Sequence, residues 1–245
     1  MTSAAALRAA PLRVVMTGLV GFAAVQEQLL IARAERTEPG DASRWAALPI
    51  IAHNTEFKHQ QVQRLRAIRS GQAPPEFAEV DHRSAGLYAE LSAQPADSVA
   101  RDSWRVSGEL IEEAGSVAAE DLLDPSRNPW LRGRQLWLQV IVRGFWHPAG
   151  HLGEYYLSHS QADRAVALAE AAVELTASVD APDQARGMAR YNLACARAGA
   201  GLLDEAAAAV ADAIALNPDV RANAATDPDL ASLRDSGRIA ALLSV

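Results

Sequence analysis

Disulfides, strands and membrane spans all find little support in this sequence, and each shortage removes a class of protein. One cysteine, Cys195, stands in 245 residues, so no intramolecular disulfide and no cysteine-rich zinc site can form. It lies in the apolar run Asn192-Leu193-Ala194-Cys195-Ala196, where a small buried side chain is expected rather than a catalytic thiol. Lys and Arg never cluster, the net charge is −7, and the arginines are spaced singly, as on a solvated helical face. That balance argues against a nucleic-acid surface. No run of Val, Ile and Thr alternates at period two, so strands are not expected. Arg8 and Arg13 precede the apolar stretch Val14 to Val25 much as in a signal peptide, but Gln26 and Glu27 come early, before the roughly 20 apolar residues that a span needs. Gln26-Glu27-Gln28-Leu29-Leu30 instead continues an amphipathic pattern. Val15, Leu19, Phe22 and Leu29 fall at three-to-four spacing and predict a core-facing stripe. The expectation is a soluble cytoplasmic protein with no membrane partner.

What is present describes helices. Charged residues make up 22% of the chain and apolar ones 49%, the balance of a globular protein large enough for one large or two small domains. Alanine is abundant, and Gly and Pro lie between periodic segments, so the fold class is all-α. Helix one is expected over 12–36, ended by Glu38-Pro39-Gly40-Asp41. Helix two is expected from Ser43 as N-cap to about Arg69, closed by Ser70-Gly71. A loop with Pro74-Pro75 follows, then a short helix over 82–92. Helix three is expected over 96–118, with Val99, Val106, Leu110 and Val117 on one face, and helix four over 134–159. Four long helices with a long second crossover make a bundle, whose interior is the usual place for a metal or cofactor.

After Ser160 the texture changes to alanine-rich helices of repeat length. Two domains are therefore expected, 1–160 and 161–245. Leu193, Ala194, Ala206, Val210, Ala213 and Pro218 fall in register with the tetratricopeptide pattern, and Gly199-Ala200-Gly201 supplies its turn. One repeat buries no core alone, so the helix over 163–177 and a last helix over 227–243 should cap it, the latter with Asp227 as N-cap and Pro228 at N1. The stretches Tyr191-Asn192-Leu193-Ala194-Cys195 and 227–234 resemble the repeat variant that closes tetratricopeptide arrays. That resemblance implies a scaffold for packing or for binding a protein partner, with no chemistry of its own.

Six histidines are present: His53, His59, His82, His147, His151 and His159. His147-Pro148-Ala149-Gly150-His151 puts two imidazoles four residues apart, on one helical face, where both can reach one ion. Pro148 would clash with the carbonyl of residue 144, and Gly144 is the residue best able to absorb the resulting kink. Glu154 follows His151 at i+3 as a ligand, an orienting partner or a base. On helix two, Leu48, Ile51, Ala52, Thr55 and Val62 form a stripe at about 100° per residue, with His59 near its centre and His53 off it, so His59 is a rival to His53 as the first ligand. His53-x-x-Glu56 and His151-x-x-Glu154 also pair a histidine with a glutamate, in the reverse order of the Glu-x-x-His of di-iron bundles. His82 and His159 are expected to be structural, and Trp137, Trp146, Tyr155 and Tyr156 to be core.

The segment Gly144-Phe145-Trp146-His147-Pro148-Ala149-Gly150-His151-Leu152-Gly153-Glu154-Tyr155-Tyr156, late in a four-helix bundle, together with His53 on helix two, resembles the DinB-like superfamily. Over roughly 10–160 the resemblance implies a divalent transition metal (Zn, Ni or Fe) held by His53, His147 and His151, with Glu56 or Glu154 moving a proton. It implies thiol-dependent transfer, isomerisation or hydrolysis of a reactive small molecule, with water or a thiol cosubstrate as the attacking group. The competing expectation is a non-catalytic protein of the stress-response type, in which the bundle forms a homodimer and the tail recruits a partner.

Overall fold

A computed structural model describes residues 4–33, 40–78 and 85–244. Among the described residues the chain is helical and carries no β-strand. It divides into two compact units, residues 1–148 and 149–245. The division falls inside a helix, ahead of Ser160, where the alanine-rich texture begins.

In the first unit, α1 (Ala4–Arg33) and α2 (Ala47–Arg69) are followed by α3 (Ala85–Ser92), α4 (Ala96–Ser116), α5 (Ala119–Leu123) and α6 (Leu136–Ile141). Two 3₁₀ turns, Pro125–Arg127 and Pro129–Leu131, carry the chain from α5 to α6. A π-helical turn, Val142–Trp146, then leads into α7 (His147–Ser158). α4 packs on both α1 and α2, and the π turn packs on the same two helices. The predicted face of α4 is buried: Val99, Val106 and Leu110, continued by Val117. On α1 the core stripe runs through Val15, Leu19, Ala23, Glu27 and Leu30, while Leu29, expected inside, is exposed. By length and composition Leu7–Arg33 could cross a membrane, although that helix also buries this stripe. Arg13 reaches across to cap the carbonyl end of α4, donating from Nη2 to Val117 and from Nε to Gly115.

The start of α2 corrects the sequence expectation. Ser43 does not cap it; its N–H and hydroxyl both donate to Asp41 Oδ1, at 2.8 and 2.6 Å, and close a turn. These bonds, the side-chain one first, hold the Asp41 carboxyl below its usual range. The helix begins at Ala47, with Pro49 in its first turn, where no intrahelical donor is needed. The expected end of helix one near Arg36 and the residues 82–84 before α3, His82 included, lie outside the described residues.

The apolar interior of this unit encloses a polar cluster. Lys58, the only lysine in the sequence, is fully buried with Glu27 at 2.5 Å. Ser103 donates to the same Glu27 oxygen at 2.7 Å, and Lys58 also donates to Ser107 at 3.0 Å. Nearby on α2, Asn54 and Gln61 are buried with neither amide atom bonded. The arginines are not all solvated either, for Arg64 is buried and Arg143 half-buried.

The second unit takes the rest of α7, then α8 (Ala162–Ser178), α9 (Asp183–Gly199), α10 (Leu203–Leu216), α11 (Val220–Thr226), α12 (Ala231–Asp235) and α13 (Ala240–Leu243). α9 packs between α8 and α10. Its core is largely alanine, including Ala165, Ala185, Ala189, Ala194, Ala206 and Ala213. Small side chains let backbones approach: a Cβ on Gly187 would lie 2.6 Å from Asn217 Cβ and 3.0 Å from the Ala213 carbonyl. Gly201 closes the α9–α10 turn at φ +78°, a conformation open to glycine. Asp227 caps the following segment by accepting from the Asp229 N–H at 2.9 Å, and Pro228 sits at N1 as expected. The expected single last helix is broken, however, at Ser236-Gly237, with Gly237 at φ +71°. Tyr191 on α9 ties that segment down by donating to Asp227 at 2.7 Å.

Candidate metal centre

Three histidines bring ligand atoms within 4.8 Å of one another: His53, His147 and His151. His53 comes from the first half of α2, where it is only 3% exposed. Its ring stands edge-on to Trp45 at 5.8 Å and leans on Phe57 at 4.6 Å. Phe57, one turn on, stacks at 4.4 Å on His147. Trp45 and Phe57 therefore hold the two imidazoles in fixed orientations, and neither aromatic stood out in the sequence. The spacing of His53 and Phe57, four residues apart and so on one helical face, was the signal available.

His147 and His151 share the unbroken helix α7, whose entry is shaped by the π turn. The His147 N–H donates to the Val142 carbonyl, five residues back. This widening moves the backbone that the Pro148 ring would otherwise strike, so the kink expected from sequence is a π turn, a form recurrent at functional sites. Gly144 has a further role. A Cβ there would lie 2.6 Å from Val20 and 2.8 Å from Leu110, so glycine lets this turn press onto α1 and α4.

The donor geometry fits a cation. His53 Nε2 and His147 Nε2 face each other at 3.2 Å. Two neutral imidazoles cannot point lone pairs at each other so closely unless a proton or a cation lies between them. Tetrahedral metal–nitrogen bonds of 2.0–2.1 Å would space ligand nitrogens by about 3.3 Å. His151, 19% exposed, donates from Nδ1 to Glu154 Oε2 at 2.7 Å, which leaves Nε2 as its lone-pair nitrogen. A carboxylate on the far nitrogen is the usual way to orient a histidine ligand. Glu154, at 53% exposure, is thus an orienting partner open to solvent.

The remaining sequence candidates lie elsewhere. Glu56 is exposed and accepts from Gln60 at 3.2 Å, so the structure does not bring it to the histidines. His59, on the centre of the predicted stripe, has its Nε2 2.7 Å from Gln63. His159 donates from Nδ1 to the Tyr155 carbonyl at 2.8 Å and stacks on Tyr155. Trp137, Tyr155 and Tyr156 are core. Cys195 is partly buried, and burial pushes its thiol well above the usual range, the opposite of an activated nucleophile. No protein family, curated protein or solved structure matches the chain.

Proposed function

We propose that this chain is a DinB-like metal-binding protein: a four-helix bundle of α1, α2, α4 and α6–α7, followed by a tetratricopeptide-like tail built around α9 and α10. In this reading it performs metal-dependent transfer of a thiol, or hydrolysis, on a reactive small molecule. The observation that carries the reading is the three-histidine group, with two Nε2 atoms at 3.2 Å and a carboxylate orienting the third imidazole. Neutral imidazoles suit Zn, Ni or Fe alike. Bound there, a divalent cation supplies Lewis acidity at an open position. The chain's own residues do the rest. His53 is buried against Trp45 and Phe57, and His147 is fixed by stacking on Phe57. Glu154, solvent-open and already bonded to His151, is the group placed to pass a proton to bulk water. No nucleophilic side chain of the protein stands in the group, so the attacking species is water or a thiol cosubstrate.

A second reading draws on a different observation. Leu7 and Val14 on α1 and Trp104 on α4 are large apolar side chains exposed to solvent. They favour a docking or homodimerising protein whose tail binds a partner. Elemental analysis of the purified protein separates the two. About one equivalent of transition metal, absent from the His147→Ala/His151→Ala variant, supports the metal reading, and thiol-dependent turnover of electrophiles is then the assay to run. No metal after reconstitution, with folding unchanged, leaves the docking protein.

A further inference from the structure

Beside the histidines, the first unit gathers buried hydrogen-bond donors with no acceptor to match. Arg64 on α2 is only 8% exposed, and its buried Nη1 makes no hydrogen bond. Its guanidinium lies 4.8 Å from the Phe77 ring centre and 5.2 Å from that of Trp130, whose buried indole N–H is likewise unbonded. Arg143, in the π turn, places its guanidinium 4.5 Å over the Phe57 ring, and its Nε is buried and unbonded. No carboxylate pairs with either arginine among the described residues. Arg143 also senses its neighbours: burial first, then the charges of Arg64 and Arg134, lowers its pKa to about 10. Gln61, one turn before Arg64 on α2, adds a buried amide that bonds nothing.

Such an arrangement is unfavourable by itself. Burying a cation without a partner is strongly destabilising, and placing a second cation near it adds repulsion. Guanidinium groups offer donors only, in a planar fork that matches carboxylate and phosphate oxygens. An acceptor-rich anion would satisfy both arginines and the indole together. Phe57 links this place to the histidines, since the ring that carries Arg143 also stacks on His147.

We propose that Arg64 and Arg143 bind an anionic group, a carboxylate or a phosphate, of a small molecule whose reacting end lies at His53 and His147. This deepens the metal reading by naming its substrate class: an organic acid or phosphate ester with an apolar or aromatic body, suited to the aromatic surroundings of the two arginines. The anion site itself rests only on the first unit's arginines.

The test is calorimetric titration of the full chain with benzoate and with inorganic phosphate at constant ionic strength, with benzamide as the uncharged control. It is run on the protein as purified and again after chelation. At least one anion should bind saturably, benzamide should not, and Arg143→Met should weaken binding at least tenfold. Arg143→Lys, which keeps the charge and loses the fork, should fall between. Saturation by benzoate alone assigns a carboxylate, and saturation by phosphate alone assigns a phosphate ester. Unliganded Arg143→Met should melt no lower than the parent, because removing it relieves repulsion at Arg64; a purely structural arginine would give a lower melting temperature. If Arg64→Met does not fold, the Arg143 pair carries the test. Anion binding that persists after chelation keeps this proposal even if the histidines hold no metal. Binding no stronger than that of chloride, or unchanged in the Arg143 variants, overturns it.

Discussion

The two units solve the burial problem in opposite ways. The first closes long helices around a large-residue apolar core that also takes in a polar cluster, with Lys58, Glu27, Ser103, Ser107, Asn54 and His53 all removed from solvent. The second closes shorter helices around alanine, with backbones close enough that Gly187 has no room for a Cβ. Polar burial is costly unless every group is bonded, and in the first unit several groups are not. Unbonded buried groups of that kind do little for stability. The alanine core of the second unit lets its helices pack closely, and burial pushes its cysteine thiol well above the usual range.

The contrast is most sharply tested at Lys58. Removing its charge alone, as Lys58→Met, strands Glu27 and should destabilise by about 3–5 kcal/mol. The double variant Lys58→Met/Glu27→Leu should recover most of that loss. Urea unfolding of the four members of the cycle reads the difference, and additive losses would mean the pair is not coupled. Next in size is Gly187→Ala in the second unit. The new methyl meets Asn217 and the Ala213 carbonyl, so backbone must shift, and overpacking of this kind typically costs about 1–3 kcal/mol. A neutral result in thermal unfolding would show that this core is looser than described. The smallest effect is expected from Tyr191→Phe, which removes the bond to Asp227 and should cost about 1–1.5 kcal/mol. Burial, Cys195 and the Asp227 bond push the Tyr191 phenol up, so its proton is retained in the fold beyond the point where the unfolded chain loses it. That contribution is complete below about pH 10 and is lost as the pH rises above it. The Phe variant should therefore show a shallower alkaline loss of stability.

Much of this was legible in the sequence, and the misses share a cause. Periodicity gave helices because each helical turn repeats locally, and the face of α4 followed from it. The histidine group could be approached because His147 and His151 are four apart on one face. Local pattern fails where a partner is distant. Glu27 and Lys58 are 31 residues apart, and each looks like a surface charge in its own segment. The stripe argument favoured His59 over His53 because it assumed that α2 buries one face. The first half of α2 is buried nearly all round, with Ile50, Ile51, Ala52, His53 and Asn54 consecutive, so a single stripe has no meaning there. Ser43 has the residue type of a cap but turns to Asp41, two residues earlier, which is the stronger acceptor. Arg64 and Arg143 escape the sequence pattern for the same reason as Lys58: charge in a local segment does not report exposure.

We propose that the histidine group holds a metal through His53 rather than His59. Equilibrium dialysis against cobalt(II), comparing the parent with His53→Ala and His59→Ala, tests it most directly. One equivalent bound by the parent and by His59→Ala, and none by His53→Ala, is the predicted result. Equal binding by all three, or by none, would contradict it.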